Sequence, residues 1–440
     1  MWIVENKTLK VVISIVLFLL IRTVIIFTYG LNVVPVGGDH EVYHLTAVKL
    51  STDHEEWTRA GSEFGYRPPL YFIFLSTVYS IVPTQKYQTG QMLSALLGTI
   101  NCFLLFLLIR NLFDEKTAWV SFWIRGLLPL FILSDTFVLS EPLFDTFLLT
   151  ALLILSFNTS SIKSFQWAGI AVCTALCVLT REAGLIYPII FLFIILLNSN
   201  GILKESANIV LFCACIIVIL GPWLFRNKYV WGAAFPLSYT SGVNLHIGNN
   251  NITQGKWVLV QSPDIPKNIT FGTPEFNNWH MVKGIEYIKE DYSRFIKLGF
   301  KKIAWFLFPS FHRSDLCTVY GLSNKTASII GMIIGVSSAA LLLFGIIGFV
   351  FDKKESYWKI TFLLILYSLL VSFIVFGNPR FRDQIDNLLV IYFAQIILRW
   401  KEIWIDIKDL TNKWNIVKIS IVFWIITFMA MNWVWVLKKK

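Results

Sequence analysis

Eight charged residues stand out in a sequence otherwise poor in charge: Asp39, Glu41, Arg67, Glu141, Arg181, Arg226, Arg380 and Arg382. Each lies at or near the end of an apolar run. A charge so close to a bilayer is costly unless it reaches the interface or has a task there. Guanidiniums fork onto phosphate oxygens, and a carboxylate can accept the proton of a reacting hydroxyl. Acids and arginines on one boundary therefore suit a substrate with an anionic head group beside a hydroxyl. A lipid-linked phosphate fits, because its chain lies in the bilayer while its head reaches the surface.

The rest of the composition fixes the class of protein. Of 440 residues, 56% are hydrophobic, 16% aromatic and 15% charged, against about a quarter charged in soluble proteins. Thirty-seven Phe and 17 Trp exceed what water-soluble cores could hide with so little polar covering. A cytosolic enzyme, a nucleic-acid-binding module and a disordered chain are excluded, and the expected fold is an all-α polytopic membrane protein. The net charge of +11 (38 Lys and Arg against 27 Asp and Glu) fits basic loops on the cytoplasmic side. It does not imply a nucleic-acid partner, because no basic cluster interleaves with aromatics. Cys102, Cys173, Cys177, Cys213 and Cys215 lie in apolar stretches and Cys317 in a polar one, with neither a disulfide framework nor zinc spacing.

Apolar runs long enough to span, at about 20 residues each, fall near 11–29, 91–110, 117–134, 138–157, 166–180, 183–198, 207–225, 327–351, 358–376, 385–399 and 416–436. The first is too long for a signal-peptide core and reads as a retained anchor. A twelfth, 69–83, is short and opens at Pro68 and Pro69. Two polar segments interrupt the pattern: 30–68, which holds six acids, and 227–302, rich in Asn, Gly and Pro.

Two topologies compete. If 69–83 crosses, the short loops holding Arg110, Lys116, Lys163, Lys204, Lys353, Lys354 and Lys401 mostly fall outside. If it only dips in and returns, those loops face the cytoplasm, and 30–68, Asp135, Glu141, Arg181, 227–302 and Arg380 share the outer face. The second arrangement is preferred, although it leaves Lys438, Lys439 and Lys440 outside. A transporter would need ionisable residues near the midplane of paired repeats, and the centres of the spans read as nearly free of charge.

Seven strings in order carry a resemblance: GGDHEVYHLTA (37–47), YRPPLY (66–71), LSEPLF (139–144), LTREAG (179–184), GPWLFRN (221–227), GVNLHIGNN (242–250) and NPRFRDQ (378–384). Over roughly residues 10 to 390 the chain resembles the GT-C glycosyltransferases, in their protein-mannosyltransferase and lipid A aminoarabinose-transferase branch (family 39/83-like). The resemblance implies a GT-C core over 1–400 with about eleven to thirteen membrane helices. Its first outer loop, 30–68, would carry the catalytic acid, and 227–302, with Asn244, His246, Asn249 and Asn250, would shape the acceptor side. Residues 401–440 would add a cytoplasmic loop and a terminal helix. It also implies inverting transfer of a sugar from a polyprenyl-phosphate donor to a glycolipid, glycan or protein acceptor on the extracytoplasmic face. Abundant Lys, Asn, Ile and Phe hint at an AT-rich bacterial or phage genome, and a bacterial cytoplasmic membrane is the expected location.

Residue by residue, Asp39 matches the first-loop acid and would take the acceptor proton; the alternative is a helix N-cap before an amphipathic helix over 41–51. Relatives often place a second acid directly after the first, and the lipid A branch has an Arg three positions on. Here the order is Asp39, His40, Glu41, Val42, so Glu41 either replaces the second acid or faces water, and the borrowed sugar specificity is in doubt. His40 is a surface residue or a substrate contact. Arg67, fixed by Pro68 and Pro69, would neutralise the departing phosphate or else snorkel. Arg181 and Arg226 are second phosphate contacts or helix anchors. Glu141 would orient Arg67, bond sugar hydroxyls or complement its helix N-terminus. Arg380 and Arg382 would bind the lipid head or hold their loop. No cofactor is expected; a divalent ion on the oxygens of Asp39 and Glu41 stays open, although the nearest relatives do not demand one. A polysaccharide polymerase or ligase and a transporter or flippase of the same lipids remain alternatives.

Overall fold

The computed structural model describes residues 2–29, 37–59, 62–82, 87–157, 162–197, 199, 201–234, 237–257, 265–352 and 355–437. Lys353, Lys354, Lys438, Lys439 and Lys440, on which the topology expectation partly rests, lie outside the described residues.

A long apolar helix, α1 (Trp2–Tyr29), leads to a compact outer segment of α2 (Asp39–Thr52), a 3-10 turn, α3 (Glu63–Tyr66) and α4 (Leu70–Ile81). The bundle continues through α5 (Tyr87–Leu112), α6 (Glu115–Leu127), α7 (Pro129–Ser134), α8 (Glu141–Ser156), α9 (Ser164–Thr180), α10 (Tyr187–Leu197) and α11 (Ser206–Trp231). Four helices then form an outer layer: α12 (Ser241–Gly248), α13 (Pro274–Glu290), α14 (Tyr292–Phe306) and α15 (Arg313–Tyr320). Finally α16 (Asn324–Val350), α17 (Glu355–Ile374), a 3-10 turn over Pro379–Arg382, α18 (Asp383–Lys408) and α19 (Lys413–Leu437) complete the chain. Among the described residues no strand forms beyond a single parallel bridge, Lys256 to Gly377.

Proline punctuates the elements. Leu128 is extended ahead of Pro129, because the pyrrolidine ring disfavours a helical residue before it, so the run 117–134 is two helices and not one. The run 138–157 begins its helix only at Glu141, with Pro142 in the first turn, where no N–H is missed. Among the described residues six helices are long and apolar enough to cross a membrane: Lys7–Tyr29, Tyr87–Leu112, Ser206–Trp231, Asn324–Val350, Tyr357–Ile374 and Lys413–Val434. The protein is an integral membrane protein. Several of the eleven runs form shorter helices, Ser164–Thr180 among them, or carry charge at their ends, as α18 does with Asp383 and Asp386. The boundary expected at 400/401 falls within α18, close to its non-helical Arg399.

Constant offsets show which helices run side by side in the same direction. Asn101 meets Thr146 and Asn111 meets Ser156, Ser164 meets Asn208 and Trp167 meets Phe212, and Ser338 meets Arg382 while Gly348 abuts Tyr392. One face of the bundle gathers Lys7 with Glu115, Asn111 with Ser156, and Lys418 over Phe351. The opposite face gathers the ends near Asp39, Arg67, Glu141, Arg181 and Arg380.

Helix α4 begins and ends on that second face. Arg67 precedes it, while Tyr79 near its end bonds His44 of α2 at 2.7 Å and lies against Gly90 at the start of α5. With both ends on one face it does not cross the bundle, and α19 brings the chain back to the cluster's face, where Trp433 donates to the Leu307 carbonyl at 3.1 Å.

Candidate active site

Six charged residues from five parts of the chain form one continuous ion network. Arg67 Nη1 donates to Asp39 Oδ1 at 2.6 Å, and Arg380 Nη1 donates to Asp39 Oδ2 at 2.5 Å. Arg380 also grips Glu141 through Nε and, at 3.1 Å, Nη2. Glu141 in turn pairs with Arg181 at 2.7 Å. Glu63 lies 3.7 Å from Arg67 at the far end. Five of the eight residues singled out from sequence therefore meet: Asp39, Arg67, Glu141, Arg181 and Arg380.

Local structure explains how each is aimed. Gly38, with φ of +81°, turns the chain into α2 and places Asp39 in the first helical turn, not at the cap. Glu41 folds back, accepting from the Gly37 N–H at 2.6 Å, and so fixes the turn that enters α2. Arg67 is extended between α3 and Pro68. Its backbone needs Gly65, where a Cβ would lie 1.8 Å from the Trp231 ring. Arg380 projects from the 3-10 turn that Pro379 initiates and the Asn378 side chain caps. Tyr43, one turn beyond Asp39, passes under Arg67 at 5.7 Å and donates to Ser140 Oγ at 3.1 Å. Arg181 shares that same hydroxyl.

The network grades from closed to open. The Glu141 side chain is 6% exposed, whereas Asp39 and Arg380 are 29% and 26% exposed. A ligand would therefore meet Asp39, Arg67 and Arg380 first. Burial alone would raise the Asp39 carboxyl, but the Arg67 and Arg380 guanidiniums outweigh it and hold the group well below the ordinary carboxylate range. Burial raises the Glu63 carboxyl despite Arg67.

Three candidates sit apart from this network. Glu41 is occupied by Gly37. Arg226 donates to the Trp57 carbonyl at 2.9 Å and is packed over Phe64, Trp223 and Trp231, so it braces the loop that carries Arg67. Arg382, 1% exposed, bonds Asp386, the Phe306 and Phe308 carbonyls and Ser338. Every bond of Arg382 is internal, which makes it an anchor of the turn that presents Arg380. For Arg226 and Arg382 the geometry favours the anchoring alternative, because Arg226 sits among rings and on the Trp57 carbonyl and Arg382 bonds only groups inside the protein.

Sequence reasoning missed two constellations. His40 Nε2 and His312 Nδ1 both contact Asp315, at 3.1 and 2.9 Å, tying α2 to α15. His40 is thus buried, and not a surface residue. Beneath the network lies a second, buried charged layer. Arg22 and Arg125 both bond Asp135, at 2.7 and 2.8 Å; Arg125 Nε donates to Asn387, and Asn387 donates to Asp145. The spans are therefore less free of charge than they read: Arg22, Arg125 and Asp145 lie on α1, α6 and α8 and Asp135 just after α7, and folding brings them together. Tyr43, four residues after Asp39, had a visible signal in its helical spacing; the His40–Asp315 contact, across 275 residues, had none.

The chain is similar to known proteins in two respects. The family model described as dolichyl-phosphate-mannose-protein mannosyltransferase matches residues 66–225, from the turn before Arg67 to near the end of α11. No curated protein matches the chain. Among solved structures, the archaeal oligosaccharyltransferase AglB from Archaeoglobus fulgidus, in complex with an inhibitory peptide and a dolichol-phosphate, superposes over 97% of this chain and 55% of its own, with 13% identity and a TM-score of 0.51. The same oligosaccharyltransferase tethered to an acceptor peptide gives 97% and 54% coverage, 13% identity and a TM-score of 0.51. ArnT from Cupriavidus metallidurans bound to undecaprenyl phosphate covers 92% of this chain and 82% of its own, with 14% identity and a TM-score of 0.44. The chain spans about half the length of the archaeal structures it matches. At such identities the likeness is one of fold, an all-α polytopic fold of GT-C type.

Proposed function

We propose that this chain is a membrane glycosyltransferase that moves a sugar from a polyprenyl-phosphate donor to a hydroxyl of a cell-envelope acceptor, with inversion at the anomeric carbon. The observation that carries the reading is Asp39 held between Arg67 and Arg380 at the mouth of a network that ends on Glu141 and Arg181.

The guanidiniums nearest the opening, Arg67 and Arg380, support a phosphodiester donor, although across all six residues Arg67, Arg181 and Arg380 are balanced by Asp39, Glu63 and Glu141. Phosphate oxygens arriving at Arg67 and Arg380 would draw these donors from Asp39. Losing their field raises the affinity of Asp39 for a proton, so binding of the donor readies the base. The acceptor oxygen then attacks the anomeric carbon as its proton passes to Asp39. The bond from that carbon to the phosphate oxygen breaks, and the polyprenyl phosphate departs with a second negative charge that the guanidiniums stabilise. Glu141 holds Arg380 and Arg181 in place from the closed end. In this mechanism the positive charge comes from arginine and no metal is required.

The extracytoplasmic face is the proposed side of reaction, supported by Lys7, Lys116, Lys163 and Lys204, which lie near helix ends of the opposite face. The bacterial cytoplasmic membrane and the cell-envelope acceptor belong to the same proposal. The buried layer around Asp135 is the feature a transporter reading would cite. Its guanidiniums are bonded internally, Arg22 to Asp135 and the Phe18 and Gly126 carbonyls and Arg125 to Asp135 and Asn387, as a structural brace requires.

The test is transfer by the purified protein in nanodiscs, offered radiolabelled polyprenyl-phosphate sugars with envelope-glycan and peptide acceptors. Label reaching an acceptor supports the reading. Movement of the labelled lipid across the bilayer without transfer would replace it with the transporter.

A further inference from the structure

Helix α14 is divided lengthwise into three strips. One is buried and includes Leu298, Lys302 and Trp305. A second is apolar and exposed: Tyr292, Ile296 and Phe300, four residues apart on one face, are 61%, 50% and 54% exposed. The third, beside it, presents Lys297 and Lys301 to solvent. A helix on a water-facing layer would not leave such an apolar strip uncovered.

The strip is continuous with the lipid-facing belt. On the spanning helix α17, Leu366, Leu370 and Ile374 form a similar exposed row, at 39%, 52% and 46%. Phe373 at the end of that row contacts the rings of Phe295 and Phe300 at 5.6 and 5.8 Å. The apolar surface therefore runs along α17 to its outer end and turns onto α14, where lysines border it.

We propose that α14 lies in the membrane interface on the cluster's face, with Tyr292, Ile296 and Phe300 in the acyl boundary and Lys297 and Lys301 at the phosphates of anionic lipids. An apolar strip edged by lysines is the pattern of an interfacial helix, and lysine stems long enough to reach the head groups complete it. The contact fixes the height of the outer layer. From the buried side of α14, Lys302 Nζ donates to the Ile374 carbonyl and to Asn249 at 2.9 and 2.8 Å. This holds the strand of chain that leads to Arg380, so the arginine's depth is set relative to the head groups.

The experiment uses the full chain with Cys213, Cys215 and Cys317 replaced by Ser, carrying Ile296→Cys, Phe300→Cys or Lys297→Cys, each labelled with an environment-sensitive fluorophore. It is placed in nanodiscs of phosphatidylcholine and phosphatidylglycerol whose acyl chains are brominated near the head group. Labels at 296 and 300 should be quenched by the bromolipid several-fold more than the label at 297, and should resist aqueous iodide. Iodide quenching at 296 and 300 without bromolipid quenching would overturn the proposal. Protection from both quenchers would overturn it too, by showing that protein covers the strip. The readout does not depend on sugar transfer, so it stands or falls separately from the proposed function.

Discussion

At the scale of single residues, Arg380 connects the two ends of the network, gripping Asp39 with one nitrogen and Glu141 with two. Only a forked, planar cation does this, and lysine keeps the charge while losing the fork. Arg380→Lys should therefore weaken donor binding by about 10–100-fold, the worth of one or two charge-assisted hydrogen bonds, while Arg226→Lys, away from the network, should change it far less. Binding of a fluorescent polyprenyl phosphate to both variants checks this, and equal affinities would remove Arg380 from the site. Asp39, Arg67, Glu141, Arg181 and Arg380 were legible in the sequence because a charge at the end of an apolar run has few other reasons to be there. Glu41, Arg226 and Arg382 look the same in one dimension. What separates them is a partner close by: the Gly37 amide, the Trp57 carbonyl or Asp386. No spacing rule reveals which charges folding will satisfy.

At the scale of elements, the network is held by helix ends that the buried layer ties together. Arg125 on α6 reaches Asp135 after α7 and Asn387 on α18. Arg125→Met would leave the Asp135 carboxylate short of one partner in a dry interior. Losing one member of a buried pair costs about 3–5 kcal/mol, so the variant should show a clearly lower thermal midpoint in detergent. A midpoint equal to the wild type's would show that the layer is not a brace. The outer layer carries a pH dependence of its own, because His246 and His280 meet through their Nδ1 atoms at 2.8 Å. Burial lowers the affinity of both for protons, that of His280 to about 4, with His246 adding to the effect. The unfolded chain, near 6.5, then binds more protons between about pH 6.5 and 4. The pair's stabilisation is present above that window and is lost as the pH falls through it. Lys283 acts on His246 from α13. Hydrogen exchange across α12 and α13 should accelerate on going from pH 7 to 5 after correction for intrinsic rates, and His280→Phe should flatten the change. The helix breaks at Pro129 and Glu141 could be read from proline chemistry. The tie between α2 and α15 could not, because His40 and Asp315 share no local pattern.

At the scale of the whole molecule, the choice between crossing and returning for 69–83 decided everything above it. Basic loops favour the arrangement without a crossing, and α4 keeps both ends on one face, with His44 bonding Tyr79 at its far end. This arrangement puts the ends of α1, α9 and α17 and the starts of α2, α8 and α18 on one face, so the charges scattered between positions 39 and 380 become neighbours. The fold class was legible because hydropathy is a sum over many residues, and single errors cancel. The outer layer was not, since 227–302 reads only as polar and its helices are fixed by contacts such as Lys302 on Ile374.

The central claim is that Asp39 accepts the acceptor's proton once the donor's phosphate has taken its arginines. The most direct measurement is single-turnover transfer by Asp39→Asn beside the wild type, with donor binding measured on the same samples. Asn keeps the shape and cannot take the proton. The account predicts donor binding of similar strength and a transfer rate lower by at least about 100-fold, the usual share of a general base. Transfer at the wild-type rate by Asp39→Asn would contradict it.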